Sequence, residues 1–116
     1  MLRAQGNTMI DLITDNRTAI AELCRTHGVR KLEVFGSAVT GEFDPQSSDI
    51  DLIVQYQVSS ERLVDRFLRL ADDLESLFGR QIDLIIDKPF TNPYFRYSVN
   101  KSRRTIFESE DGEAAA

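Results

Sequence analysis

Apolar and polar residues follow two different patterns along this chain. Apolar positions three and four residues apart predict amphipathic helices over residues 8–26 and 59–77, which Gly28 and Gly79 would end. Shorter runs, in which apolar and polar residues alternate, predict three strands: 31–35, 49–55 and 81–86. Because helices alternate with strands, we expect an α/β fold in which helices pack on one small sheet.

The residues between these elements predict how the first two strands pair and where two helices begin. The link between the first two strands is too short for a crossover helix, so we expect an antiparallel pair within a mixed sheet. Ser59 or Ser60 would cap the second long helix. Asn92-Pro93 is typical of a helix start, and it predicts a short helix that runs to about Asn100.

The length of 116 residues suits one domain with one modest core. We expect residues 1–107 to form that domain, with an edge strand over residues 104–107. Residues 108–116, acidic and then rich in alanine, are expected to be a disordered tail. Three aromatic residues of the last predicted helix are open to two interpretations, packing of that helix or stacking on an adenine: Tyr94, Phe95 and Tyr97.

Three aspartates stand inside the predicted strands. Because strand side chains alternate between faces, Asp49 and Asp51 project from the same face. If the third strand is a neighbour and Asp83 shares that face, three like charges converge, and each pair repels by about 1 kcal/mol in water at 4 Å. Such a cluster needs a cation or protonation, and carboxylate oxygens are the ligands that Mg²⁺ prefers. Taken alone, Asp49 and Asp51 are equally compatible with the solvent face of an edge strand.

A glycine–serine turn, Gly36-Ser37, closes the first predicted strand twelve residues before Asp49. This turn, the Asp-x-Asp pair and the third strand aspartate together resemble the minimal nucleotidyltransferase (MNT) group of the polymerase-beta-like superfamily. The resemblance runs from about Val29 to Ile86. Its motifs are, in order, residues 36–41 (GSAVTG), 48–52 (SDIDL) and 82–84 (IDL). Many relatives carry an arginine in the Gly-Ser loop, whereas residues 38–40 are uncharged here.

The resemblance implies the polymerase-beta-like fold and a reaction in which AMP is transferred from ATP with the help of two Mg²⁺ or Mn²⁺ ions. Asp83 is implied to complete one metal shell and to help deprotonate the acceptor hydroxyl. The implied catalytic and metal-binding residues are Asp49, Asp51 and Asp83, and the implied nucleotide-binding residues are Gly36, Ser37 and Ser48.

The resemblance also implies a partner. Small proteins of this family usually lack an acceptor-binding domain, so the acceptor hydroxyl, which we expect to be a tyrosine, belongs to another chain. That chain is expected to be a HEPN-type ribonuclease toxin, held in a hetero-oligomer with this protein as its antitoxin. Two alternatives remain open: an antitoxin that neutralises by binding alone, and a nucleotidyltransferase that acts on a small molecule of the aminoglycoside type.

The composition argues against several other classes of protein. A net charge of −5 disfavours a protein that grips nucleic acid through its phosphates, and a solvated helix end is the simpler interpretation of the basic residues at 101–104. One cysteine, Cys24, and one histidine, His27, exclude an intramolecular disulfide and a Cys/His zinc site. Cys24 is expected in the core. No apolar run approaches the length of a membrane span and no signal sequence opens the chain, so we expect a cytoplasmic protein.

Overall fold

A computed structural model of the protein describes residues 9–57, 62–88 and 91–109. The elements follow one another as α1 (Asp11–Thr14), α2 (Arg17–Thr26), β1 (Val29–Phe35), α3 (Ser37–Thr40), β2 (Ile50–Tyr56), α4 (Leu63–Phe78), β3 (Ile82–Ile86), α5 (Pro93–Ser102) and β4 (Arg104–Glu108). The predicted α/β class and all four predicted strands are confirmed. No helix in the described ranges is long and apolar enough to cross a membrane.

The four strands form one mixed sheet in the order β3-β2-β1-β4. Strand β1 pairs antiparallel with β2 and with β4, whereas β2 and β3 are parallel. Helix α4 supplies the crossover that a parallel pair requires. The mixed sheet, the antiparallel first pair and the edge position of β4 agree with the predictions. Strand β3 therefore lies at the other edge of the sheet.

The two faces of the sheet are covered differently. One face packs against α2 and α4 in the larger core cluster, where Cys24, Leu70 and Leu74 are fully buried. On the other face, Phe35 and Ile53 pack against Val99 of α5 in a smaller cluster. Because side chains alternate along a strand, the second face is the one toward which Asp51 points, two residues before Ile53. Helix α5 and the aspartates thus share a face.

The first predicted helix is wrong as one continuous element. It is divided into α1 and α2 at Asp15-Asn16. The side-chain amide of Asn16 donates a hydrogen bond to the carbonyl of Leu12 at 2.8 Å, and the backbone of Asn16 leaves helical geometry. Asparagine side chains compete in this way with the backbone for hydrogen bonds, so the turn interrupts a helix that the apolar spacing alone would continue.

The last helix begins as predicted and ends two residues later. The side-chain oxygen of Asn92 accepts hydrogen bonds from the backbone N–H groups of Tyr94 and Phe95, at 2.9 and 3.2 Å. The packing interpretation is wrong for Tyr94 and Tyr97, which are 84% and 69% exposed. It holds for Phe95, whose ring lies edge-to-face on Phe35 with centroids 6.3 Å apart.

Some predictions concern residues outside the described ranges. The predicted caps Ser59 and Ser60 are among them, and α4 as described begins at Leu63. Most of the predicted tail also lies outside the described ranges. Its first residue, Glu108, is the last residue of β4. The domain boundary at residue 107 therefore stays a prediction.

Candidate active site

Asp51 and Asp83 lie directly opposite each other in the parallel pair of β2 and β3. Residues paired in this way point to the same face of a sheet, so both carboxylates are on the face that α5 partly covers. Asp49 comes one residue before β2 and shares the face of Asp51 by alternation. The fold thus brings together three aspartates that are separated by up to 34 positions in the sequence.

The three carboxylates differ in exposure. Asp49 and Asp83 are exposed, whereas Asp51 is partly buried between them. Burial, together with the negative charges of Asp83 and Asp49, raises the pKa of Asp51 to about 6. The cause is the loss of water around one carboxylate combined with repulsion from two others. A site of this kind is favourable for a cation, because a positive charge would offset both effects.

The donor set fits a hard divalent cation, since Mg²⁺ and Mn²⁺ bind carboxylate oxygens. Within residues 9–57, 62–88 and 91–109, no three His, Cys, Asp or Glu side chains stand close enough to hold a metal ion as they are. Two of the three aspartates are exposed side chains, which can rotate toward an ion. The fit therefore depends on the chemistry and shared face of Asp49, Asp51 and Asp83, and their role as metal ligands stays a prediction.

Gly36 directly follows β1 and lies against the carboxylate of Asp51. Its backbone has φ +75° and ψ −148°, a region that is almost exclusive to glycine. A Cβ atom at this position would lie 2.6 Å from Oδ2 of Asp51. The sequence predicted that Gly36 lets the backbone approach a phosphate. In the fold, the missing side chain already makes room for Asp51, and contact with a phosphate stays a prediction.

The backbone of the Gly-Ser turn is fixed from two sides. The N–H of Gly36 donates to the hydroxyl of Ser102 in α5 at 3.0 Å. The carbonyl of Ala38 accepts from the N–H of Ile10 at 3.0 Å. Ser37 begins α3 and is partly exposed, while the two residues after it are buried. Because the Gly36 N–H already has a partner, a phosphate at this turn would have to use the groups that follow it.

The loop before Asp49 is organised by its own side chains. The Ser48 hydroxyl accepts a hydrogen bond from the N–H of Asp44 at 2.9 Å, so Ser48 shapes the loop. The Asp44 carboxylate accepts from the N–H of Gln46 and from the hydroxyl of Ser47, at 2.9 and 3.0 Å. These two hydrogen bonds hold the pKa of Asp44 below its usual value. Contact between Ser48 and a nucleotide stays a prediction.

Arg80, which was not predicted as a site residue, lies against this loop. Its guanidinium donates to the carbonyl of Ser48 at 2.7 Å and to the carbonyl of Pro45 at 2.5 Å. The same group lies over the ring of Phe43, 5.0 Å from the centroid. Arg80 and Ser48 are 32 residues apart. No local sequence pattern could therefore have shown this contact.

A second missed contact anchors α5 on the face that carries the aspartates. Arg103 donates two hydrogen bonds to the buried carboxylate of Glu33, at 2.6 and 3.2 Å, and lies 3.2 Å from a carboxylate oxygen of Asp87. The hydrogen bond to Glu33 is the main reason why the pKa of Arg103 is raised. The interpretation of Arg103 as part of a solvated helix end is thus wrong, because its charge is paired inside the fold.

The mixed sheet, the Asp-x-Asp pair at the start of β2, the aspartate on the parallel strand β3 and the glycine turn beside Asp51 fit the nucleotidyltransferase class of fold. The chain belongs to the nucleotidyltransferase domain family, whose model matches residues 17–106. That match includes every element from α2 to α5 and the predicted site residues.

Individual relatives agree with this assignment. MJ1379 of Methanocaldococcus jannaschii, named as a candidate protein adenylyltransferase, is 33% identical over 73 residues, which are 63% of this chain and 72% of the relative. The protein adenylyltransferase MntA of Thermococcus cleftensis is 38% identical over 65 residues, 56% of this chain and 63% of the relative.

A solved structure has the same fold. It contains a tri-AMPylated HEPN toxin of Shewanella oneidensis in complex with its MNT antitoxin. The match has a TM-score of 0.54 at 18% identity and covers 88% of this chain and 77% of the solved chain. At this identity the likeness concerns the fold alone.

Proposed function

We propose that this chain is an antitoxin that transfers AMP from ATP to a hydroxyl, a tyrosine, of a HEPN-type toxin with which it forms a hetero-oligomer in the cytoplasm. Family membership supports nucleotidyl transfer. The names of the two relatives support a protein as the acceptor. The solved complex supports the pairing of an MNT antitoxin with an AMPylated HEPN toxin.

One observation carries the proposal. Asp51 and Asp83 are opposed across a parallel strand pair, and Asp49 stands two residues before Asp51 on the same face. Mutual repulsion and burial make this arrangement unfavourable without a cation, as the raised pKa of Asp51 indicates. A catalytic role explains why the chain holds three carboxylates there, whereas a purely structural role does not.

In the proposed reaction the acceptor oxygen bonds to the α-phosphorus of ATP. The bond between that phosphorus and the bridging oxygen of the β-phosphate breaks, and pyrophosphate leaves with the electron pair. Asp83 accepts the proton of the acceptor hydroxyl. Asp49, Asp51 and Asp83 would hold Mg²⁺ or Mn²⁺, which when bound neutralises charge on the phosphates. The protein's own contribution is positioning, from the strand pair and the Gly36-Ser37 turn.

A second candidate is an antitoxin that neutralises by occlusion. The observation that favours it is the Gly-Ser loop itself, where Ala38 and Val39 are buried and no residue of the loop is charged. The N–H of Gly36 is also engaged by Ser102. Both features reduce the number of groups that this turn offers to a triphosphate. An acceptor of the aminoglycoside type is disfavoured, because both relatives are named as protein adenylyltransferases.

The experiment that separates these candidates measures stoichiometry. A catalytic amount of this protein with ATP and Mg²⁺ is incubated with a molar excess of the HEPN-type protein encoded beside it. We expect the excess toxin to gain the mass of one or more adenylyl groups and to stay inactive after the two chains are separated. Intact mass spectrometry and a ribonuclease assay on the separated toxin are the two measurements.

The matched control is the variant Asp49→Asn/Asp51→Asn. If neutralisation is chemical, this variant loses it by several orders of magnitude, because the reaction needs the metal ligands. If the variant protects as well as the parent, at one-to-one stoichiometry and without ATP, the protein acts by occlusion and the enzymatic proposal is wrong.

A further inference from the structure

The guanidinium of Arg80 connects the two segments that lead into the site. Through its two hydrogen bonds it spans the carbonyls of Pro45 and Ser48, and its face is covered by the Phe43 ring. A planar guanidinium is suited to such a double contact, because its donors have a fixed geometry. The loop is therefore fixed at two points by one rigid group.

The Arg80 contact lies close in sequence to Asp49 and to Asp83. Ser48 immediately precedes Asp49, and Arg80 stands three residues before Asp83 in the link between α4 and β3. The N–H of Ile50 also donates to the carbonyl of Gln81 at 3.4 Å, so the starts of the two strands are joined on both sides of Asp49. Shifting the loop would move the backbone of Asp49 relative to β3.

Asp49 needs such support more than Asp51 does. The side chain of Asp51 is partly buried and lies against Gly36, whereas the side chain of Asp49 is exposed. The location of the Asp49 carboxylate thus depends on the backbone that carries it. The internal hydrogen bonds of the loop shape it from within, and Arg80 attaches it to the start of β3.

We propose that Arg80 is a positioning residue of the nucleotidyltransferase site: by holding the Ser48 and Pro45 carbonyls, it fixes the backbone of Asp49 relative to β3, so that the Asp49 carboxylate can turn toward a divalent cation shared with Asp51 and Asp83. This role rests on the proposed function. Arg80 acts through Asp49 and contacts no reacting atom.

The sign of one measurement separates positioning from simple electrostatics. A positive charge near three carboxylates repels a cation, so if charge alone mattered, removal of Arg80 would tighten Mn²⁺ binding. If Arg80 positions Asp49, its removal weakens Mn²⁺ binding instead. Groups that orient metal ligands typically contribute about 10- to 100-fold to metal affinity.

The experiment compares Mn²⁺ affinity among folded variants, measured by electron paramagnetic resonance of free Mn²⁺ at a temperature well below each melting transition. We expect Arg80→Ala to bind Mn²⁺ about 10- to 100-fold more weakly than the parent. Arg80→Lys keeps the charge but cannot span two carbonyls, so its affinity should fall in between. The control is Arg69→Ala, which removes an arginine from an exposed ion pair with Asp65 on α4 and should leave the affinity unchanged.

A double-mutant cycle tests whether Arg80 acts through Asp49. In the Asp49→Asn background, Arg80→Ala should have little further effect on Mn²⁺ affinity, because the ligand that it positions is already lost. Amide hydrogen exchange supplies a readout that needs no metal. In Arg80→Ala, exchange should accelerate at residues 44–50 and stay unchanged in α2 and in the buried turns of α4.

The outcomes are distinct. A parent protein that binds no Mn²⁺ would overturn the proposed function and this role together. A parent that binds Mn²⁺, with an Arg80→Ala variant that binds it equally or more tightly, would overturn the positioning role alone. The positioning role would also be overturned if amide hydrogen exchange at residues 44–50 were unchanged in Arg80→Ala. The same conclusion would follow if Arg80→Ala weakened Mn²⁺ binding as much in the Asp49→Asn background as in the parent.

Discussion

At the scale of single residues, Gly36 is the most constrained position of the candidate site. Two independent features exclude a side chain there: the positive φ of +75° and the Asp51 carboxylate at 2.6 Å from a would-be Cβ. Gly79 shares only the first feature, since its φ is +67° and no atom lies within 4 Å of its would-be Cβ. The two glycines therefore form a matched pair for experiment.

We predict that Gly36→Ala destabilises the protein by about 1–3 kcal/mol through backbone strain and also removes the response of its melting temperature to Mn²⁺, because Asp51 must move. Gly79→Ala should cost about 1 kcal/mol and keep the Mn²⁺ response. Denaturant unfolding gives the stabilities, and thermal melts with and without Mn²⁺ give the response. A Gly36→Ala variant with an intact Mn²⁺ response would contradict the close approach of Gly36 to Asp51.

Cys24 shows a different residue-scale effect. Its side chain is fully buried, and burial raises the pKa of the thiol to about 12. The folded state therefore favours the neutral thiol. As a result, the contribution of Cys24 to the free energy of unfolding is fully present below the unfolded pKa of about 8.5, and it is lost as the pH rises toward 12, because the unfolded state then releases the proton first.

We predict that iodoacetamide at pH 8 leaves Cys24 unmodified in the folded protein and alkylates it fully in guanidinium chloride, because only a thiolate reacts. Intact mass spectrometry over time gives both rates. Rapid alkylation under native conditions would show that Cys24 is accessible and would contradict the described core.

At the scale of elements, α5 is held on the site face by its C-terminal end. Ser102 contacts Gly36, and Arg103 pairs with Glu33, which is 7% exposed. The helix thus connects the last strand of the sheet to the turn beside Asp51.

Removing Arg103 should leave the Glu33 carboxylate buried without its main partner. We predict that Arg103→Ala lowers the free energy of unfolding by about 3 kcal/mol, because an uncompensated buried charge is costly. Arg69→Ala, which breaks an exposed pair, should change it by less than about 1 kcal/mol. Adding Glu33→Gln to Arg103→Ala should recover part of the loss, and denaturant titrations of the parent and these three variants measure the differences. Equal losses for the two arginines would contradict the buried pair.

The elements also indicate which features a sequence can predict. Strands β2 and β3 follow from alternation, and the start of α5 follows from Asn92-Pro93, because these signals are local. The break at Asp15-Asn16 escaped prediction, since a single side-chain hydrogen bond overrides the apolar spacing. Asp49 and Asp51 were predicted to share a face because side chains alternate along one strand, whereas Asp83 joins that face because β3 pairs with β2. The contacts of Arg80 with Ser48, Ser102 with Gly36 and Arg103 with Glu33 were missed because these partners lie 32, 66 and 70 residues apart.

At the scale of the whole molecule, ligand binding and stability are linked, since a ligand that binds only the folded state stabilises it. We predict that ATP with Mn²⁺ at about 100 times the dissociation constant adds about 2.7 kcal/mol, a rise in melting temperature on the order of 10 °C. Asp49→Asn/Asp51→Asn should lose this response. Without metal it should be at least as stable as the parent, because it relieves repulsion around Asp51. Equal metal responses in the two proteins would refute the site.

The contact between Gly36 and Asp51 also constrains the order in which descendants of this protein can lose the site. While Asp51 is present, a side chain at position 36 strains the backbone and displaces the carboxylate. Asp51 can be replaced by a smaller or neutral residue with no such obstacle. After that loss, the positive φ still disfavours every residue except glycine at position 36. A lineage that abandons catalysis is therefore expected to lose the aspartate first and to keep the glycine long afterwards. Among descendants, position 51 would report whether the chemistry survives, whereas the glycine would report only that the fold does.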